Sequence, residues 1–179
     1  MKEFLFYDFV FEQDEITLLQ TECDNADWGR LDDPIFGNRD VQHGNFKAPP
    51  SVKLIQAYIN SLEQRPHECL VQGIQNCGGN FRCDEKLARY NTGDDLDWHC
   101  GDWAYYNHPY PDALYIRRQL TAITYLNDNF EGGETEFKDD IIKPQTGKTL
   151  IFPAHWEFAH RGKAITSGTK FVYINHIWF

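Results

Sequence analysis

Several features that would decide a protein's class are missing from this chain. No apolar stretch approaches 18 residues, so no transmembrane helix is predicted. No run of five Lys or Arg occurs, and 17 basic against 27 acidic residues leave a net charge of -10, which argues against a nucleic-acid backbone as partner. The five cysteines, Cys23, Cys69, Cys77, Cys83 and Cys100, are odd in number and include no C-x-x-C pair. That excludes a zinc ribbon and fits a reduced compartment, with Cys77 and Cys83 as free thiols on either side of Gly78-Gly79-Asn80. Internal repeats and low-complexity tracts are absent. The opening MKEFLFYDFVFEQDE has an aromatic run broken by acids and no small-residue cleavage site, so a soluble, cytoplasmic protein that does not engage a membrane is expected.

What is present suits one domain over 1–179, with 1–67 as helical support and loop and 68–179 as a β core. Helical spacing occurs twice. Glu12 to Cys23 carries Ile16, Leu19 and Cys23, and Ser51 to Leu62 follows Pro49-Pro50 with Ser51 as N-cap and Val52, Ile55, Ile59 and Leu62 on one face. Residues 24–50 are rich in Asp, Asn, Gly and Pro, which predicts a loop laid over the core. Beyond Glu68, short runs of Val, Ile, Tyr, Phe and Thr alternate with turn signals such as Thr92-Gly93-Asp94, Gly132-Gly133 and Ser167-Gly168, predicting an antiparallel sandwich or barrel. In 169–179, Lys170, Val172, Ile174, His176 and Trp178 share one face, and a Lys on a largely apolar inward face needs an anion. Thr121, Ile123 and Tyr125 likewise share a face, so Tyr125 points into the barrel with its hydroxyl available.

The chemistry concentrates in Tyr90-Asn91-Thr92-Gly93, Trp98-His99-Cys100-Gly101-Asp102, His160-Arg161-Gly162 and Lys170. Two neutral imidazoles and one carboxylate on neighbouring strands hold Fe(II) on one face and leave the other open to oxygen and a co-substrate. His99, Asp102 and His160 are therefore the candidate metal ligands and catalytic residues. His155 follows Pro153-Ala154 in an expected loop and lacks the downstream Gly and Lys, while His43, His67 and His108 read as surface or loop residues. His108-Pro109-Tyr110-Pro111-Asp112 lies where substrate contacts are expected, and Trp98, Trp103, Tyr105, Tyr106 and Tyr110 suit an apolar or ring-shaped substrate.

Further pieces follow in order: Leu120-Thr121-Ala122-Ile123-Thr124-Tyr125-Leu126-Asn127-Asp128, Phe130 with Gly132-Gly133-Glu134, Gly147 to Pro153, and His160-Arg161-Gly162 leading to Gly168-Thr169-Lys170. With Tyr90, Gly93, Trp98 and His99, this set resembles the 2-oxoglutarate and Fe(II)-dependent dioxygenases, and within them the prolyl 4-hydroxylase-like group. The resemblance runs from about Leu87 to the C-terminus. It implies a mainly β double-stranded β-helix, or jelly roll, supported by two N-terminal helices. It also implies Fe(II), 2-oxoglutarate and O2 as cofactor and co-substrates, ascorbate as a candidate reductant, and hydroxylation of an unactivated C–H bond in a peptide or small molecule, peptidyl proline included. By the same resemblance His99 and His160 bind iron, Lys170 pairs with the distal carboxylate of 2-oxoglutarate, Tyr90 and Tyr125 hydrogen-bond it, and His176 lines the co-substrate pocket.

The carboxylate departs from the family's His-x-Asp pattern: Gly101 occupies its place and Asp102 follows. A bulge at Gly101 re-aims Asp102 onto the metal and gives a hydroxylase. Alternatively Gly101 leaves a coordination position to a halide, as the resemblance to Fe(II) halogenases implies. A non-catalytic barrel that binds a ligand or partner is the third reading.

Overall fold

The computed structural model describes residues 5–33, 37–43, 51–63, 82–101 and 118–178. In chain order the elements begin with β1 (Phe6–Phe9), α1 (Gln13–Asp24), β2 (Gly29–Asp33), β3 (Gly37–His43) and α2 (Ser51–Glu63). There follow β4 (Arg82–Asn91), β5 (Leu96–His99), β6 (Leu120–Tyr125), β7 (Glu131–Gly132), β8 (Thr135–Phe137) and β9 (Ile141–Ile142). The chain closes with β10 (Lys148–Pro153), a 3-10 turn at Trp156–Phe158, β11 (His160–Gly162), β12 (Ile165–Ser167) and β13 (Thr169–Trp178). The large sheet has the order β1-β10-β6-β13-β4-β3-β2, the smaller one β5-β11-β8-β9, and β12 pairs with β7. This is the mainly antiparallel jelly roll that the strand and turn pattern predicts. Among the described residues no helix is long and apolar enough to cross a membrane.

Alternation along the large sheet sorts its side chains into two layers. Leu87, Leu120, Ala122, Ile151, Tyr173 and Ile177 face the helices, where they meet Ile16 and Leu19 of α1 and Leu54, Ile55 and Tyr58 of α2. Leu19, Leu54, Leu87 and Leu120 are fully buried, and each such side chain contributes about 1.5–3 kcal/mol. The opposite face turns Ala88, Tyr90, Tyr125, Leu150, Phe152, Val172 and Ile174 toward Phe137 and Ile165 of the smaller sheets. That inner layer contains the cavity discussed below. Helix α1 is capped reciprocally between Glu12 and Glu15, with the Glu12 amide donating to Glu15 Oε2 at 2.7 Å, and Lys53 of α2 pairs with the same carboxylate at 2.6 Å.

One expectation is corrected. Within 24–50, the stretch read as a loop, β2 and β3 pair with each other, and β3 adds to β4 through Asp40↔Arg89 and Val41↔Ala88. Gly and Asp are depleted in strands, so apolar periodicity could not reveal this hairpin. Charges hold it instead. Asp94 accepts from Arg30 Nη1 at 2.9 Å and Nη2 at 2.7 Å and from the Asn91 amide at 2.8 Å. Asp40 accepts from Arg89 Nε at 2.8 Å and Asn91 Nδ2 at 3.0 Å, with Arg30 Nη1 at 3.3 Å. The hydrogen bonds from Arg30 hold the Asp94 carboxyl below the usual carboxylate range. Burial pushes Asp40 up, but Arg89, Asn91 and Arg30 together outweigh it and leave its pKa lowered.

Asp94→Asn is expected to cost about 2–3 kcal/mol in urea unfolding, less than for a fully buried pair because the Arg30 side chain is 40% exposed. Both carboxylates have folded pKa values below their unfolded ones. Their contribution is therefore complete above the unfolded value of about 4 and is lost as pH falls through the folded values, so the wild type should weaken below about pH 4 more steeply than Asp94→Asn. Equal acid sensitivity would contradict this account.

Candidate active site

Strands β5 and β11 pair so that His99 stands directly opposite His160, although 61 residues separate them in sequence. Their ring centroids are 4.3 Å apart. Each ring is oriented by a backbone carbonyl two residues earlier: His99 Nδ1 lies 2.7 Å from the Asp97 oxygen, and His160 Nδ1 lies 2.9 Å from that of Phe158. A carbonyl only accepts, so each Nδ1 carries the proton and each Nε2 presents a lone pair. Burial lowers His99 to about 4, helped by the positive charges of Arg39, Lys86 and Arg118, and burial followed by the proximity of His99 lowers His160 to about 3. Both rings are neutral at physiological pH. Phe137 and Phe152 enclose His160, with centroids at 5.5 and 4.7 Å. Two oriented, neutral imidazoles facing each other suit a divalent transition metal. Among the described residues no group of three His, Cys, Asp or Glu side chains completes a metal site. Asp102, expected as the third ligand, lies outside the described residues, as do Trp103, Tyr105, Tyr106, His108 and Tyr110.

Gly101 is described, and its environment is informative. A Cβ there would lie 2.6 Å from Ala154 Cβ, 2.9 Å from the Ala154 oxygen and 3.1 Å from Arg118 Cδ. Strand β5 ends at His99, Cys100 lines the cavity, and Gly101 presses against Ala154 at the end of β10.

Beside the histidines opens a cavity of about 170 Å³ whose lining includes Tyr90, Thr135 and Lys170. Lys170 on β13 stands opposite Tyr90 on β4 and is buried. Its Nζ donates to the Gly133 carbonyl at 2.6 Å and lies over the rings of Tyr90 and Tyr125 at 5.5 and 5.3 Å. Among the described residues no carboxylate comes within ion-pair distance of it. Burial lowers Lys170 to about 8, with Glu134 pulling weakly the other way. The Tyr125 hydroxyl hydrogen-bonds Thr135 Oγ1 at 2.7 Å, and burial raises the pKa of both Tyr90 and Tyr125, so both phenols keep their protons.

His176 also lines the cavity, but six residues along β13 from Lys170 and 3.5 Å from Asp84. It does not sit beside the lysine. His155 is half-exposed, meets Phe158 edge-on with a 4.9 Å centroid separation, and takes no part in the histidine pair. The lining residues that escape the sequence reading include Arg39, Lys86, Arg118 and Thr135. Counting back by twos from Tyr90 through Ala88 leads to Lys86, a usable signal; Arg39 had none, because its strand carries no apolar alternation.

With this geometry established, comparisons place the chain among known proteins. The model of the 2OG-Fe(II) oxygenase superfamily matches residues 86–179, more than half of the chain. The chain belongs to that superfamily. It is 36% identical over 63 residues to human Prolyl 3-hydroxylase 2, a match that covers 31% of this chain and 9% of that protein. The chain thus spans only a small part of that relative's length. A viral collagen prolyl hydroxylase from Paramecium Bursaria Chlorella virus-1, solved as a 2OG complex, superposes with a TM-score of 0.67 at 20% identity, covering 98% of this chain and 96% of the other. A Pseudomonas putida prolyl-4-hydroxylase gives 0.65 at 17% identity, covering 98% and 91%. At such identities the structural likeness concerns the fold.

Gly101→Ala is expected to lower stability by about 1–3 kcal/mol through overpacking, read as a reduced melting temperature. Ala154→Gly in the same chain should restore part of the loss, because it removes the closest contact. An unchanged melting temperature in Gly101→Ala would mean that this glycine is not required by packing.

Proposed function

We propose that this chain is an Fe(II)- and 2-oxoglutarate-dependent dioxygenase that hydroxylates an unactivated C–H bond, with peptidyl proline as the reference substrate. One observation carries the reading: two neutral imidazoles and a buried lysine flanked by two phenols line the same cavity. His99 and His160 would hold Fe(II), with Asp102 proposed as the third ligand. Lys170 would pair with the distal carboxylate of 2-oxoglutarate, because a buried dicarboxylate needs a charged partner. The Tyr90 and Tyr125 hydroxyls would supply further donors. When bound, Fe(II) and 2-oxoglutarate supply the oxidising chemistry, with O2 as oxidant and succinate and CO2 as coproducts.

The chain's own contribution is preorganisation. The carbonyls of Asp97 and Phe158 fix the tautomer and aim of the two rings, and Phe137 and Phe152 keep water from His160. A Cβ at residue 101 would meet Ala154 and Arg118, so this glycine is required by packing. Hydroxylation is preferred over halogenation because Asp102, next in sequence, offers a carboxylate for the third position. The prolyl hydroxylases among its relatives support a prolyl substrate.

Anaerobic Fe(II) plus 2-oxoglutarate should give a visible metal-to-ligand charge-transfer band. His99→Ala and His160→Ala should abolish it along with tight iron binding, and chloride should leave the wild-type band unaltered. Stoichiometric iron in both variants would refute the metal assignment, and a chloride-sensitive band would favour the halogenase.

Lys170→Ala should weaken 2-oxoglutarate by about thirty- to several-thousand-fold, the effect of removing one side of a buried charge pair, and weaken iron far less. The lowered pKa of Lys170 also sets the pH profile. The charge that the diacid requires is present below about 8 and is lost above it, so affinity should fall as pH rises through about 8, with proton uptake on binding. Calorimetry in buffers of different ionisation enthalpy measures that uptake; none in the wild type would mean that Lys170 is not the anchor.

A further inference from the structure

For a chain of net charge -10, the cavity lining is unexpectedly cationic: Arg39, Lys86, Arg118, Lys163 and Lys170 contribute to it, and among the described residues no Asp or Glu does. Lys170 is assigned to 2-oxoglutarate under the proposed function, and Lys163 pairs with Glu134 at 3.5 Å. The other three gather near His99. Their fields act on His99 and on one another, with Arg39 and Arg118 depressing Lys86, which burial already lowers to about 8. Arg118 also reaches the chain just beyond His99, at Gly101. Among the described residues neither Arg39 nor Lys86 has a carboxylate within ion-pair distance, and Arg39 Nη1 is buried without a hydrogen-bond partner.

Like charges drawn together out of water are costly unless something of opposite sign joins them. The co-substrate cannot serve both ends. Lys86 lies four residues along β4 from Tyr90, the partner of Lys170, which is about 13 Å of strand. A five-carbon diacid spans only about 6 Å between its end carbons, at about 1.5 Å per bond.

We propose that Arg39 and Lys86, with Arg118 beside them, form a second anion site that holds a carboxylate of the substrate at the histidine end of the cavity. This rests on the oxygenase reading and adds that the oxidised molecule carries an acidic group close to its reacting carbon. The free carboxylate of an amino acid and an acidic side chain flanking the target residue of a peptide both qualify. A carboxylate is favoured over a phosphate because the cavity must also admit 2-oxoglutarate, and a carboxylate adds the fewest atoms.

The probe is acetate, with inorganic phosphate and chloride at matched ionic strength as comparisons. It is titrated calorimetrically into the full chain loaded with Mn(II) and saturating 2-oxoglutarate, so that Lys170 is already engaged. Acetate should bind the wild type and bind Lys86→Met and Arg39→Leu about tenfold or more weakly, with Lys86→Arg restoring most of the loss. The 2-oxoglutarate constant should stay within about twofold in all three variants, since the large loss from truncating a buried charge pair falls on the ligand whose partner is removed. Lys86→Met should also melt higher than the wild type without acetate, because it removes a half-buried cation that lacks a carboxylate partner among the described residues. Absence of acetate binding to the wild type, unchanged binding in both charge-removing variants, or binding of phosphate but not acetate would overturn the proposal. Loss of 2-oxoglutarate affinity instead of acetate affinity would assign these cations to the co-substrate and overturn it as well. Failure of the wild type to bind 2-oxoglutarate at all would strike at the oxygenase reading itself. If the two sources are then compared, N-acetylproline against N-acetylprolinamide tests the free carboxylate, and a Pro-Glu against a Pro-Gln peptide amide tests the flanking side chain.

Discussion

Everything at the site depends on the register of β13. This strand pairs along its length with β4 and over six residues with β6, so each of its side chains is committed to the helix layer or to the cavity. A slip of one residue would turn Lys170, Val172, Ile174 and His176 toward the helices and drive Tyr173 and Ile177 into the cavity. The helices prevent that slip, because Tyr173 and Ile177 are completely buried against them. Packing on one face of the sheet thereby fixes chemistry on the other.

The same desolvation that stabilises the inner layer shapes its electrostatics. Burial alone is the largest influence on His99, His160, Lys170 and Lys86, and in each case it disfavours the charged form. For the histidines this leaves neutral imidazoles, the form that metal binding would require. For the lysines it stores a demand for anions that incoming acids can meet.

The edge of the large sheet solves a different problem. Strands β2 and β3 carry too few apolar residues to be held by packing, and Asp40 and Asp94 fasten them to β4 through Arg30, Arg89 and Asn91. The outward-facing network thus positions the inward-facing Arg39, next to the strand that supplies Lys86 and Tyr90. Structural ion pairs at the edge and cations that line the cavity alternate along the same strands, as the two-residue period of a strand requires.

The residues alone determined an antiparallel β sandwich or barrel, the two helices and the inward aim of Lys170 and Tyr125, because each leaves a local trace in alternation, spacing or turn chemistry, whereas the jelly-roll class and the coupling of His99 to His160 rested on the family resemblance. Lys86 was legible by the same counting once Tyr90 was placed. The β2–β3 hairpin was not, since its strands are defined by partners about fifty residues away, through charges whose meaning depends on which Asp meets which Arg. Nor could spacing say what Gly101 does: a glycine after a histidine reads equally as a bulge or as an open coordination position. Only the tertiary structure decided that its missing side chain makes way for Ala154, because close approach between residues 53 apart in sequence is set by how β5 and β10 are brought together, and no local pattern records it.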